Sequence, residues 1–101
     1  MRELEVKIIC CNSIRSCRDY YTGVIDINTK QMRRFNATRC YRGEERTLKI
    51  TEPDRYIIFH NKVSNKGIHH IQIVHKPSFM SEEEALRIIR EVIGLVEVEV
   101  L

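Results

Sequence analysis

Much of what this 101-residue chain lacks is informative. It has no tryptophan and only four glycines, at positions 23, 43, 67 and 94. Glycines so scattered leave no Gly-rich loop to cradle a phosphate. Ser13, Ser64, Ser78 and Ser81 stand in no nucleophile-elbow context. No apolar run approaches the ~20 residues of a membrane-spanning helix. The opening Met-Arg-Glu-Leu-Glu-Val-Lys has none of a signal peptide's uninterrupted apolar segment, so the expected compartment is the cytoplasm, with no membrane partner. The four cysteines (Cys10, Cys11, Cys17, Cys40) include no Cys-x2-Cys pair, so neither a zinc ribbon nor a disulfide framework is indicated. Cys10 and Cys11 close an apolar stretch and read as buried thiols, while Cys17 has Arg15 and Arg18 beside it.

What is present is isoleucine, fourteen in all, together with dense Arg, Lys and Glu, a composition that leans toward that of thermophile proteins. At 43% hydrophobic and 31% charged residues the chain can bury one core, and its length fits a single α+β domain over 1–101.

The charge is unevenly divided. Between Arg15 and Arg46 there are eight basic residues against four acidic ones; from Ser81 to Leu101 six glutamates face only Arg87 and Arg90. Such asymmetry bears on partners rather than on fold.

Periodicity supplies the elements. Leu4, Val6, Ile8 and Cys10 alternate with Glu3, Glu5 and Lys7, a strand with one wet face. Residues 12–21 are polar and read as a loop or short helix. Val24–Ile27 and Met32–Phe35 flank Asn28-Thr29-Lys30 as a hairpin. A four-residue loop at 28–31 sets Asp26 opposite Arg33 and Val24 opposite Phe35. Residues 36–45 read as irregular, Thr47–Thr51 as a short strand, and 56–63 with 68–75 as the strongest strand pair. In that pair Ile57-Ile58-Phe59 runs without alternation, as a strand buried on both faces does. With Ser64–Gly67 as its loop, Val63 opposes Ile68, and His60, His69 and His75 share a face. Two neighbouring imidazoles do not complete a metal shell, so these are expected to be ordinary histidines, and no cofactor is expected.

The helix has the clearest signal. Ser81 followed by Glu84 makes a capping box, and Ala85, Leu86, Ile88, Ile89, Val92 and Ile93 fall on one face. Gly94 stops it, and Val96, Val98 and Val100 alternate as a closing strand. The expected architecture is α+β: a mainly antiparallel sheet of about five to seven strands with one amphipathic C-terminal helix packed on one face.

The acidic segment is largely accounted for by capping, the helix dipole and the wet face of a strand. The basic segment is not. Arg33, Arg34, Arg39, Arg42 and Arg46 interleave with Phe35 and Tyr41, and Arg15 and Arg18 precede Tyr20 and Tyr21. Guanidinium forks match phosphate oxygens, and rings offer bases a stacking surface. These nine residues (Arg15, Arg18, Arg33, Arg34, Phe35, Arg39, Tyr41, Arg42, Arg46) are the candidate contacts of a non-catalytic domain that binds nucleic acid, DNA or RNA, or another polyanion. Two alternatives stand beside it. One is a protein-interaction module or homodimeric inhibitor acting through the acidic helix and an edge strand. The other is a metal-dependent nuclease in which His70-Ile71-Gln72 holds a cation and Tyr20 or Tyr21 attacks a phosphate.

Overall fold

A computed structural model describes residues 3–8, 17–35, 47–94 and 99–100, with 17–19 and 99–100 as backbone. It is α+β with mostly antiparallel pairing and a C-terminal helix, as the sequence indicates, but the strands divide between two sheets rather than one. Strands β1 (Glu3–Lys7) and β4 (Thr47–Thr51) form an antiparallel pair. The other five are β2 (Cys17–Asp26), β3 (Met32–Phe35), β5 (Tyr56–Ser64), β6 (His69–His75) and β7 (Glu99–Val100), ordered β3-β2-β5-β6-β7. A 3-10 turn at Pro53–Arg55 leads into β5, and α1 spans Glu82–Ile93. β6 and β7 are parallel neighbours with α1 between them in the chain, and the other pairings described in this sheet are antiparallel.

Strand alternation sorts the core into two clusters on opposite faces of the large sheet. One face carries Tyr21, Ile25, Ile57, Phe59 and Ile71 against Met80 and the helix residues Ala85, Ile88 and Ile89. The other carries Val24 and Ile58 against Val6 of β1, with Leu4, Leu48, Ile50, Phe35 and Tyr56 around them. The molecule is thus helix on sheet on ribbon. This explains why Ile57-Ile58-Phe59 does not alternate: all three are fully buried, on whichever face they fall.

The helix ends where its sequence says it should. Ser81 Oγ accepts from Glu84 N–H at 3.2 Å, a cap worth about 1 kcal/mol. Gly94 adopts φ 74° and returns its N–H to Arg90 and Glu91 carbonyls.

Three local expectations are corrected. Residues 17–21 are strand, not loop: β2 starts at Cys17 because it pairs along nearly the whole of β5, with a bulge between Cys17 and Asp19. The β2–β3 loop sits one residue earlier than expected, Asp26 N–H bonding Gln31 O at 3.0 Å, so Val24 rather than Asp26 opposes Arg33. Asp26 Oδ1 accepts from Asn28 N–H and Lys30 takes φ 61°, which together turn the chain before Gln31. The β5–β6 loop has three residues, Asn65-Lys66-Gly67, closed by Ser64 N–H to Ile68 O and by Gly67 at φ 84°. Val63 therefore opposes His69, not Ile68. Ile9–Ser16, 36–46 and 95–98 lie outside the described residues, and with them the irregular segment and most of the closing strand expected there.

Candidate nucleic-acid interface

Among the described residues, β3 pairs with β2 alone and stands at one end of the five-stranded sheet. Its four residues alternate, so Met32 and Arg34 lie on the helix side while Arg33 and Phe35 lie on the ribbon side. Both arginines are exposed, and each is laid over a ring on its own side. The Arg33 guanidinium carbon is 5.4 Å from the Phe35 centroid, and that of Arg34 is 3.9 Å from the Tyr21 centroid. Two adjacent residues on a strand cannot share a face, so Arg33 and Arg34 flank the edge rather than converge. Arg15, Arg39, Tyr41, Arg42 and Arg46 lie outside the described residues, and Arg18 is placed on β2 by its backbone alone.

On the ribbon side the two sheets diverge and leave a cleft of about 400 Å³. Arg33 and Phe35 of β3, Lys49 and Ile50 of β4, and Tyr56 at the start of β5 line it, with Val24 and Asp26 of β2. Lys49 lies on the exposed side of a ribbon strand whose other side packs Leu48 and Ile50 into the core. Neither it nor Tyr56 was among the residues singled out from the sequence. The polar alternation Thr47-Lys49-Thr51 was the available signal for Lys49.

The acid in the cleft is already occupied. Arg55 donates to Asp26 Oδ2 through Nε at 3.0 Å, with the second guanidinium nitrogen at 2.9 Å. That two-nitrogen bond, the largest influence on it, holds the Asp26 carboxyl below its ordinary 3.8. Because the folded value is the lower one, the pair supports the fold above pH 3.8 and is lost only as pH falls through the depressed value. Arg33 and Lys49 make no ion pair among the described residues, although Glu5 stands directly across the ribbon from Lys49.

The histidines do not assemble as expected. The one-residue difference in register moves β6 by a full face relative to β5. His69 stands on the helix side, its Nδ1 2.9 Å from Asn61 Nδ2, while His60 stands on the ribbon side with its Nδ1 3.0 Å from Thr22 Oγ1. His75 Nε2 reaches Pro53 O at 2.7 Å. His70 and Gln72 fall on the face of His60, across from Lys62 and His60 themselves, with Tyr20 opposite Lys62 on the other side. Tyr21 faces away from that group. Among the described residues, no three His, Cys, Asp or Glu side chains come together as metal ligands.

His60 has a consequence for stability. Its half-buried imidazole is held below the ordinary 6.5 by desolvation of the charged form. The unfolded chain therefore binds the proton more readily, so stability is intact above about pH 6.5 and declines as pH falls below it. Thermal unfolding of the protein should accordingly lose midpoint temperature between about pH 7.5 and 5.5 by more than His60→Gln does. Equal losses in the two proteins would remove His60 as the cause.

Among the described residues, no helix is long and apolar enough to cross a membrane. Comparison with protein-family models, with curated proteins and with solved structures finds no match to this chain.

Proposed function

We propose that the protein binds nucleic acid through the β3 edge and the adjoining ribbon strand β4, without catalysing a reaction on it. The observation that carries this reading is the pairing of cations with rings on that side: Arg33 over Phe35, with Lys49 and Tyr56 across the same cleft. Phosphate is attracted by the charge, and the rings give the bases a surface to stack on. The acidic helix turn of Glu82, Glu83 and Glu84 serves its own N-terminus, where carboxylates meet the positive end of the helix dipole.

Fluorescence anisotropy with labelled DNA and RNA, at about 50 and 200 mM salt, tests it. With two phosphate contacts, from Arg33 and Lys49, affinity for a single strand should fall roughly 7-fold over that range through counterion release. A binding curve that does not move with salt, or no binding at either concentration, would overturn the reading.

A further inference from the structure

Not every polyanion site has walls of this kind. From the shape and lining of the cleft we infer that it takes one unpaired nucleobase together with its phosphate, so that the protein selects single strands over duplexes. The inference rests on the nucleic-acid reading above and narrows it.

Size comes first. About 400 Å³ is near the lower end of the range of small-ligand pockets, which suits one nucleotide unit and excludes a stacked pair. In a duplex the bases are stacked inside and only phosphate edges face outward, so nothing of a base could enter a recess between two sheets.

The lining separates two kinds of contact. Val24 and Ile50 supply apolar surface, and Phe35 and Tyr56 are half-buried rings anchored in the ribbon-side core. A ring held by packing loses little freedom when a base stacks on it. The Arg33 guanidinium extends this surface: its carbon lies over the Phe35 ring at 5.4 Å, and its plane can itself take a base. Arg33 and Lys49 rise from different sheets, on exposed positions at the cleft, where a phosphate attached to an inserted base would sit between them. Asp26 opposes this less than an unpaired carboxylate would, since Arg55 is held against it, although Arg55 also meets Glu52 at 3.4 Å.

A cleft used only for charge would have no use for two rings, and a purely apolar recess would not carry two cations. The combination specifies a ligand that is flat and apolar at one end and anionic at the other. A free mononucleotide has the same chemistry, so the test has to separate it from a strand.

The experiment compares a labelled ten-nucleotide single strand, the duplex of the same sequence, inorganic polyphosphate as a base-free polyanion, and a mononucleotide as competitor. The single strand should bind at least about 10-fold tighter than the duplex or the polyphosphate, and the mononucleotide should compete weakly. Phe35→Leu should weaken the single strand by roughly 5- to 100-fold, the range of one base–ring stack, while leaving polyphosphate binding unchanged. Phe35→Tyr keeps the ring and should bind as the unaltered protein does, which separates lost stacking from lost folding. Lys49→Ala, at an exposed position, should weaken single strand and polyphosphate alike. Equal, salt-sensitive binding of single strand, duplex and polyphosphate would overturn the base subsite while leaving polyanion binding intact. So would equal single-strand affinity of Phe35→Leu. A mononucleotide as tight as the oligomer would overturn strand selection. Failure to bind any of the four would bring down both readings.

Discussion

Replacing Gly23 with alanine should destabilise the protein by about 3 kcal/mol, the upper end of ordinary overpacking penalties. Gly23 lies in the middle of β2 directly opposite Phe59, and the Phe59 ring crosses beneath it. A Cβ at position 23 would stand 2.5 and 2.6 Å from two carbons of that ring and 3.2 Å from Met32 Sδ. Phe59 has no room to retreat: it is fully buried, and Tyr21 meets it edge-on at 6.2 Å between centroids. The backbone effect of the substitution runs the other way, because Gly23 is not in the left-handed region and alanine there would reduce unfolded-state freedom. That gain is at most about 1 kcal/mol and cannot offset the clash. For a domain of this size, the expected loss in midpoint temperature is roughly 10–20 °C. Phe59→Leu introduced alongside Gly23→Ala should recover part of it. A single Gly23→Ala variant melting within ~2 °C of the unaltered protein would show that the ring does not fix this position.

The second large effect concerns the fully buried Asn61 in β5. Its Nδ2 donates to the Tyr21 hydroxyl oxygen at 2.9 Å and stands 2.9 Å from His69 Nδ1. The amide has one hydrogen for each, and His69 Nδ1 accepts in the tautomer that carries its proton on Nε2. Oδ1 finds no hydrogen-bond partner, so the group is held at a cost even in the folded state. Asn61→Ala would leave the Tyr21 hydroxyl and His69 Nδ1 without their partner and would open a void. The expected loss is about 3 kcal/mol. Removing both ends of a buried hydrogen bond is much less damaging than removing one. Asn61→Leu combined with Tyr21→Phe should therefore lose clearly less than the two single variants added together, in chemical denaturation read at constant m-value. Strict additivity would mean that Asn61 and Tyr21 are not coupled.

How far the sequence could be read depended on whether each signal was local. The helix stop and start are written in adjacent residues, Ser81 with Glu84 and Gly94, and they appear where expected. The two hairpins differ instructively. In β2–β3 the loop moved by one residue, which changes the pairing by two; each side chain keeps its face, and Arg33 remains beside Phe35. In β5–β6 the loop shortened from four residues to three, which changes the pairing by one and sends His69 to the opposite side from His60. Gly67 at positive φ sets that difference, and a Ser-Asn-Lys-Gly stretch fits either loop length. The cleft could not be read at all. Arg33, Lys49 and Tyr56 belong to three strands that become neighbours only because the β1–β4 ribbon lies on the large sheet, a tertiary fact with no periodicity of its own.

The alternation that separates Arg33 from Arg34 also has a bearing on solubility. An edge strand offers unpaired amide and carbonyl groups to any other strand, and proteins guard such edges with charge. β3 carries a cation on each side of its edge, so a second copy approaching edge to edge would bring four guanidinium groups together. The same two side chains thus oppose edge-to-edge pairing of β3 with a second copy, a duty they would perform whether or not a polyanion is bound.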